Sequence, residues 1–523
     1  MYAGRIHGVY KQFSILVSHS RSYMQDPYII GIDIGTGSTK AVSVDLTGNI
    51  LQVSQHAYPT FRPEPGYSEQ DPELIWNAFK SCIRETVQAL GKAPAAISLS
   101  SAMHSIIPVN ESGTALANLI TWADSRSESI AETLRNGPQG ENMYRISGTP
   151  LHAMAPLSKI IWIKQHQPEL FSRTHKFISI KEFIWFKLFG QYEIDYALAS
   201  ATGMFDIIGL SWSSEILDFA GIHVSSLSEP VNTGFQRTAI YGEVAREMNL
   251  PASTIFVIGA SDGCCANLGS AVVDASKAAL TIGTSGAVRV TSAKPVYNFK
   301  AMTFNYLLDE KTFVCGGPVN NGGLAIDWAI QKFLSPDETA GDPYQAFFSI
   351  IEQNSTAGEK LLFLPYLTGE RAPYWDTHAS AAFIGLRQNH TQADLLKAVL
   401  EGVCFALNQV LASVEDSVGT VQQLHVSGGF IHSPVWLQTL ADLSGKKLVL
   451  VQTEDASAIG AAILASRAIF PENTLERAIL SRDKDVILPD MNKHLHYKAM
   501  MPIFSKLYED LKVSMQLLNQ LNN

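Results

Sequence analysis

Ile32-Asp33-Ile34-Gly35-Thr36-Gly37-Ser38-Thr39-Lys40-Ala41-Val42-Ser43-Val44 reads as a strand, a tight glycine turn and a second strand. Leu46-Thr47-Gly48-Asn49 then turns into a third strand beginning near Ile50. The same grammar returns in the second half of the chain. There Ala278-Ala279-Leu280-Thr281-Ile282 is a strand, Gly283-Thr284-Ser285-Gly286 a turn, and Ala287-Val288-Arg289-Val290 a strand. The order is shared more than the letters, and it predicts two related α/β units, each opening with a hairpin. A glycine turn between two strands is not a strand-to-helix phosphate loop. It excludes a Walker A loop, whose Gly-x-x-x-x-Gly-Lys-Ser/Thr spacing is absent, and a Rossmann fingerprint. What remains is a hairpin whose N–H groups and hydroxyls can cradle phosphate oxygens. Asp33, just before the first turn, suits a hydrated Mg2+ beside such phosphates. An ordinary Thr-Gly hairpin is the plain alternative. Two such turns facing one another across a cleft would hold a nucleotide's phosphates from both sides.

Between the two hairpins lies Val257-Ile258-Gly259-Ala260-Ser261-Asp262-Gly263, an apolar run entering a turn with one carboxylate at its tip. An acid placed where two halves of a chain meet is well placed to act as a general base. The plainer reading is a loop Asp that caps the following helix. Thr121-Trp122-Ala123-Asp124-Ser125-Arg126-Ser127 sets an aromatic, an acid and a base in one short polar stretch. Trp122 can pack on a sugar's C–H face while Asp124 and Arg126 bind hydroxyls or a carboxylate. Alternatively Trp122 anchors the core and the other two form a local ion pair.

Further elements follow from caps and periodicity. Asp71-Pro72-Glu73 starts a helix with Ile75, Phe79, Ile83, Val87 and Leu90 along one face. Residues 151–206 read as helices, and Asp195 to Gly203 suits close packing beside a cleft. Gly316 to Gly323 reads as a glycine-rich entry to a helix, where a ligand can approach backbone. Thr391 and Asp394 cap a long helix. Gly428-Gly429, after the strand Leu424 to Ser427, offers a flat surface for an adenine ring. Ala456 to Ala462 is a small-residue helix built for tight packing. His152, His378 and His432 show no ligand spacing and read as structural or surface residues.

With 523 residues, 46% apolar and 17% charged, the chain has material for more than one core. Its net charge of -10 comes without a Lys/Arg cluster, which argues against a nucleic-acid surface. No apolar run approaches the ~20 residues that span a bilayer. The five cysteines lack metal-ligand spacing and read as buried thiols of a cytoplasmic protein.

Taken together, the order of motifs resembles the FGGY carbohydrate kinases, from about Tyr28 to Arg467. The carrying residues are Asp33 to Lys40, Gly259 to Gly263, Thr281 to Gly286 and Ser427-Gly428-Gly429. Ser100-Ser101-Ala102-Met103-His104-Ser105, Thr121 to Ser127, Ser200 to Gly203, Gly317 to Gly323 and Gly369 to Pro373 are similar to the gluconokinase branch. The resemblance implies an α/β fold of two RNase H-like (actin/hexokinase/Hsp70-like ATPase) domains with an interdomain cleft. Residues 1–27 would be an extension, 28–265 a mainly sugar-binding domain and 266–523 a mainly nucleotide-binding one. Asp262 would be the general base for phosphorylation of D-gluconate at its terminal hydroxyl. Met103, His104, Trp122, Asp124 and Arg126 would line the sugar pocket, with His104, Arg126 and Lys181 as candidates for the substrate carboxylate. Thr36, Gly37, Ser38, Lys40, Gly283 and Thr284 would bind phosphates of ATP, and Gly322, Gly428 and Gly429 would border the adenosine. Asp33 would hold Mg2+ through water. The expected partners are a small sugar acid and ATP, with no nucleic acid and no membrane, and a homodimer is left open. The same chemistry on a ketopentose or polyol is the nearest alternative, and an ATP-driven protein of the same fold the more distant one.

Overall fold

The computed structural model describes residues 27–521, apart from 340, 355–359, 452–454, 471, 473, 483 and 484. The expected extension lies outside these residues save for Pro27. Strands β1 (Tyr28–Ile34), β2 (Ser38–Asp45) and β3 (Ile50–Ala57) form an antiparallel meander. With β4 (Ala96–Ser101), β5 (Gln236–Arg237) and β6 (Phe256–Ser261) they make a six-stranded sheet of order β5-β6-β4-β1-β2-β3. The second sheet has seven strands: β7 (Lys277–Ile282), β8 (Gly286–Ser292), β9 (Phe304–Asp309), β10 (Thr312–Val319), β11 (Gln423–Ser427), β12 (Lys447–Leu450) and β13 (Val486–Ile487). Its order is β9-β10-β8-β7-β11-β12-β13. The repeat expected from the two hairpins is present as topology. β3-β2-β1-β4-β6 corresponds to β10-β8-β7-β11-β12, a meander followed by two parallel strands in both cases.

The helices that position the site are α1 (Pro72–Leu90), α2 (Ile180–Phe189), α3 (Asp262–Gly269), α4 (Gly323–Phe333), α5 (Gln392–Val418), α6 (Pro434–Ser444) and α7 (Ala456–Ile469). Asp71 caps α1 by accepting from the Glu73 N–H, and Thr391 with Asp394 forms the capping box of α5. Both faces of the first sheet are covered, which is why β1 is apolar apart from Asp33 near its end. Ile30, Ile32 and Ile34 pack with Ile75, Phe79 and Ile83 of α1. Ile29, Val42 and Val44 pack instead with Ala458, Ala462 and Ile463 of α7. The split is the period-two alternation of a strand. α5 is long and apolar enough to cross a membrane by composition, but most of it is buried in the protein interior. All five cysteines are buried and unpaired.

Two expectations about local structure are corrected. Residues 151–206 are not helical throughout: Lys176–Ile178 and Glu193–Asp195 are short strands. They pair with Ile107–Val109 and Glu229–Val231, partners too distant in sequence for local periodicity to reveal. Gly316 to Val319 lies inside β10, so only the end of the expected glycine-rich entry leads into α4. Glycine is needed at Gly316 because a Cβ there would stand 2.0 Å from the Val288 carbonyl oxygen of the neighbouring strand.

The closest packing joins α7 to the first sheet and to α3. A Cβ on Gly31 would lie 1.8 Å from the Ala458 carbonyl oxygen. On Gly269 it would lie 2.0 Å from that of Ala456, and on Gly460 1.9 Å from that of Cys265. Gly460→Ala is therefore expected to cost at least the ~1–3 kcal/mol typical of overpacking. Gly242→Ala, where a Cβ meets nothing within 4 Å, should be close to neutral. Urea unfolding of the two variants beside the parent checks the contrast.

Candidate active site

Asp262 owes its position to a distortion of β6. Val257 pairs with Ser98 and Ala260 with Ser100, so β6 holds one residue more than β4 between these pairs. Within this bulge Gly259 has φ 72°, and a Cβ there would lie 2.0 Å from the Leu99 carbonyl oxygen. Such a bulge re-aims the end of a strand. The cap of α3 is Ser261, whose hydroxyl accepts from the Cys264 N–H. Asp262 is the first helical residue and lines a cavity of about 350 Å³. The helix-capping reading thus belongs to its neighbour, and the Asp262 carboxylate is left facing the cavity.

Both halves of the chain contribute to this cavity: Thr36, Met103, His104 and Trp122 from the first, Arg289, Tyr306 and Arg371 from the second. Trp122 Nε1 donates to Thr36 Oγ1 at 2.9 Å, tying the aromatic wall to the first hairpin. His104 Nδ1 is 2.8 Å from the Ala201 carbonyl oxygen, which only accepts, so Nδ1 carries the proton. Nε2 then accepts from the Tyr306 hydroxyl at 3.2 Å. Burial, helped by the nearby Lys159 ammonium, pushes His104 down to about 3. The ring is neutral and offers no positive charge to a carboxylate.

Asp124, Arg126 and Lys181 do not line the cavity. Arg126 forks onto Asp124, with Nε and Nη2 at 2.8 and 2.7 Å from its carboxylate oxygens, and Nη2 also reaches Glu69 at 2.6 Å. Its guanidinium lies 3.6 Å from the Tyr67 ring centroid. Of the two readings of that stretch, the local ion pair describes Asp124 and Arg126, while Trp122 faces the cleft. Lys181 Nζ donates to Asp195 Oδ2 and to the Ala260 carbonyl, both at 2.7 Å. It braces the strand two residues before Asp262 instead of meeting substrate.

A second cavity, of about 750 Å³, is lined by Gly283, Thr284, Gly323, Gly429 and His432. It shares Gly283 with the first, so the two meet at the turn between β7 and β8. A Cβ on Gly37 or Gly283 would meet nothing within 4 Å, so both turns border open space. Gly322 and Gly428 lie under the second turn: Gly322 N–H donates to the Thr284 carbonyl, and a Cβ on Gly428 would lie 2.1 Å from the Ile282 carbonyl oxygen. Gly323 and Leu324 N–H are likewise bonded to the Gly283 and Thr284 carbonyls, so the start of α4 supports this turn. In the first hairpin Ser38 Oγ accepts from Gln55, and Lys40 Nζ sits 2.8 Å from Asp455 Oδ1. His432, read as structural or surface, is a wall of the second cavity.

Two carboxylates stand close enough to affect one another. Burial raises Asp33 to about 6, and the charge of Asp262 adds to that, against a hydrogen bond from Ser100 Oγ at 2.9 Å and the Lys40 ammonium. Burial also raises Asp262, opposed mainly by the Arg289 guanidinium. Arg289, Tyr306 and Arg371 went unnoticed as site residues in the sequence. Arg289 carried one signal, a lone charge in an otherwise apolar strand of the second hairpin.

The profile described as FGGY family of carbohydrate kinases, N-terminal domain, matches residues 28–269, and its C-terminal counterpart matches 278–469. The chain belongs to the FGGY family of carbohydrate kinases. It is 41% identical to a gluconokinase of Bacillus subtilis (strain 168), over 92% of this chain and 95% of that relative. A xylulose kinase of Staphylococcus epidermidis is 27% identical over 92% and 97%. A crystal structure of gluconate kinase from Lactobacillus acidophilus superposes with a TM-score of 0.90 at 32% identity, covering 94% of this chain and all of that one. As a member of this family, the kinase has the two-domain α/β architecture read from its hairpins.

Lys181→Met would leave Asp195 buried without its cation, which typically costs ~3–5 kcal/mol. The expected outcome in this FGGY kinase is a lowered unfolding midpoint. An unchanged midpoint with lost sugar affinity would instead make Lys181 a substrate ligand.

Proposed function

We propose that the chain is an ATP-dependent gluconokinase that converts D-gluconate to 6-phosphogluconate. The observation that carries the reading is the place of Asp262, in a cavity that joins a second cavity at a phosphate-type turn. The gap between 41% identity to a gluconokinase and 27% to a xylulose kinase supports gluconate as the acceptor. In this reading residues 28–265 bind mainly the sugar acid and 266–523 mainly the nucleotide.

Asp262 accepts the proton of the C6 hydroxyl as that oxygen attacks the γ-phosphate. Its raised proton affinity suits the role, because a base held closer to working pH takes the proton more readily. Met103, His104 and Trp122 shape the pocket around the chain of hydroxyls. Thr36, Gly37, Ser38 and Lys40 on one side and Gly283 and Thr284 on the other face the phosphates. Gly429 borders the adenosine directly, with Gly322 and Gly428 beneath it. Mg2+ bound with the nucleotide neutralises phosphate charge. Asp33 fits it: a cation beside a carboxylate that burial and Asp262 hold near 6 favours its ionised form. Much of the acceleration comes from alignment, and closure of the cleft excludes water as a competing acceptor.

Asp262→Asn should fold and bind gluconate but lose roughly 10²–10⁴-fold in kcat, the usual contribution of a general base. Steady-state kinetics beside a urea melt tests this, and near-parent turnover would remove Asp262 as the base.

A pH profile gives a second check. Asp33 lies near 6 against an ordinary 3.8, so the folded state holds its proton more tightly than the unfolded state does. Its contribution to stability is thus greatest at low pH and falls as pH rises from about 4 to 6. Activity has the opposite sign, because base and metal ligand must both be ionised. The kcat/KM should fall below about pH 6, as one limb of the coupled pair. In Asp33→Asn, whatever activity remains should show that limb at lower pH, since Asp262 loses a negative neighbour.

A further inference from the structure

The charged groups of this protein fall into two kinds. Lys181 with Asp195, and Arg126 with Asp124 and Glu69, are closed pairs in which each charge has its partner within hydrogen-bond distance. Arg289 is different. Among the described residues it donates no side-chain hydrogen bond and has no carboxylate within ion-pair distance, and its Nη1 is buried without a partner. Its Nε lies 3.4 Å from where a Cβ on Gly263 would stand, so the side chain runs past the residue after Asp262. A buried guanidinium N–H left without an acceptor is costly, and native structures rarely tolerate it without a use.

The same cavity holds a second guanidinium. Arg371 is fixed by Nε donating to Asn320 Oδ1 at 2.7 Å and by Nη2 donating to the Val319 carbonyl at 3.1 Å. It lies 5.2 Å from the Trp122 ring centroid. Burial lowers Arg371 to about 10, with Arg289 adding to the fall, so the two cations feel one another. Glu370, next in the chain, opposes the fall of Arg371 but does not line the cavity. Its carboxylate is turned to the N–H groups of Asn320 and Arg371 at 2.6 and 2.9 Å and is not part of the lining. Of the charged side chains that line the cavity, two are cationic and one, Asp262, is anionic, while His104 is neutral. A pocket with this balance is complementary to an acceptor with one negative charge.

We infer that Arg289, seconded by Arg371, receives the carboxylate of the acceptor and so selects an acyclic sugar acid over neutral sugars and polyols. The inference rests on the gluconokinase reading and names the residues within it that make the choice. The three cations suggested by the sequence cannot do so: His104 is neutral, and Arg126 and Lys181 are spent in closed pairs away from the cavity. Arg289 also explains how a base and an acid substrate coexist. Its charge is opposite to both, opposing the rise of Asp262 while attracting the anion.

The test compares D-gluconate with D-gluconamide, its neutral counterpart with the same C6 hydroxyl, in the parent, Arg289→Met and Arg289→Lys enzymes. A charge-assisted hydrogen bond is worth ~1.5–3 kcal/mol, or roughly 10–100-fold in affinity. Arg289→Met should raise the KM for gluconate by about that factor while leaving the KM values for gluconamide and ATP within a few-fold. Arg289→Lys should recover part of the preference for gluconate, and it keeps the test in hand if the Met variant folds poorly. A parent enzyme that prefers gluconate, paired with an Arg289→Met variant that keeps the parent's KM preference for gluconate over gluconamide and raises the KM for ATP, would overturn the inference alone. Arg289 would then be a phosphate ligand. A parent enzyme that ignores gluconate and phosphorylates a neutral sugar would overturn the proposed function, and the inference with it.

Discussion

Backbone touches backbone where α7 crosses the first sheet, and the site hangs on that contact. Gly31, Gly269 and Gly460 each stand where a single methyl group would collide with a carbonyl oxygen of the facing element. The contact binds a helix from near the end of the chain to the strand that opens it and to the helix that begins with Asp262. Every acid of the site is placed within a few residues of it. Asp33 is on β1, two residues beyond Gly31. Asp262 starts α3, and Ser457 of α7 donates to its carbonyl. Asp455, just before α7, takes the Lys40 ammonium across the join. A protein that must hold two carboxylates near one another needs a rigid floor. Small residues supply it by letting helices approach to backbone distance.

Charges closed on one another and charges left open do different work here. The Lys181–Asp195 pair is among the most deeply buried in the molecule, at 1% and 0% exposure, yet both partners are satisfied and neither faces the cavity. Such a pair holds geometry and is a weak candidate for chemistry. Asp262 and Arg289 line the same cavity, and Arg289 Nη1 is buried there without a partner. Functional roles follow the unsatisfied groups, since a ligand is what completes them.

The hairpins, the caps at Asp71 and Thr391 and the turn before Asp262 were legible in the sequence, because each is decided by residues that are neighbours along the chain. The pairing of Lys176–Ile178 and Glu193–Asp195 into small sheets was not, because their partners lie far away. The same limit governed the site. Lys181 resembles a substrate ligand until Asp195 and the Ala260 carbonyl are seen beside it. Asp124 and Arg126 resemble sugar ligands until Glu69 and Tyr67 enclose them. Arg289 showed only as an odd charge in an apolar strand, since an absence of partners is visible in three dimensions alone. Gly460 showed its role in the small-residue run Ala456 to Ala462, whereas Gly31 and Gly269 gave no sign, because their collisions are with backbone of another element.

In the proposed function this cleft, with a base and an uncompensated cation within it, phosphorylates an acyclic sugar acid. The most direct measurement is ADP release with Mg-ATP across D-gluconate, D-xylulose, L-ribulose and glycerol, using the unaltered enzyme. The expected result is a kcat/KM for D-gluconate well above that for each neutral acceptor. A higher kcat/KM for D-xylulose or another neutral acceptor would contradict it, leaving the fold and Asp262 in place but assigning the open cation to something other than the substrate's carboxylate.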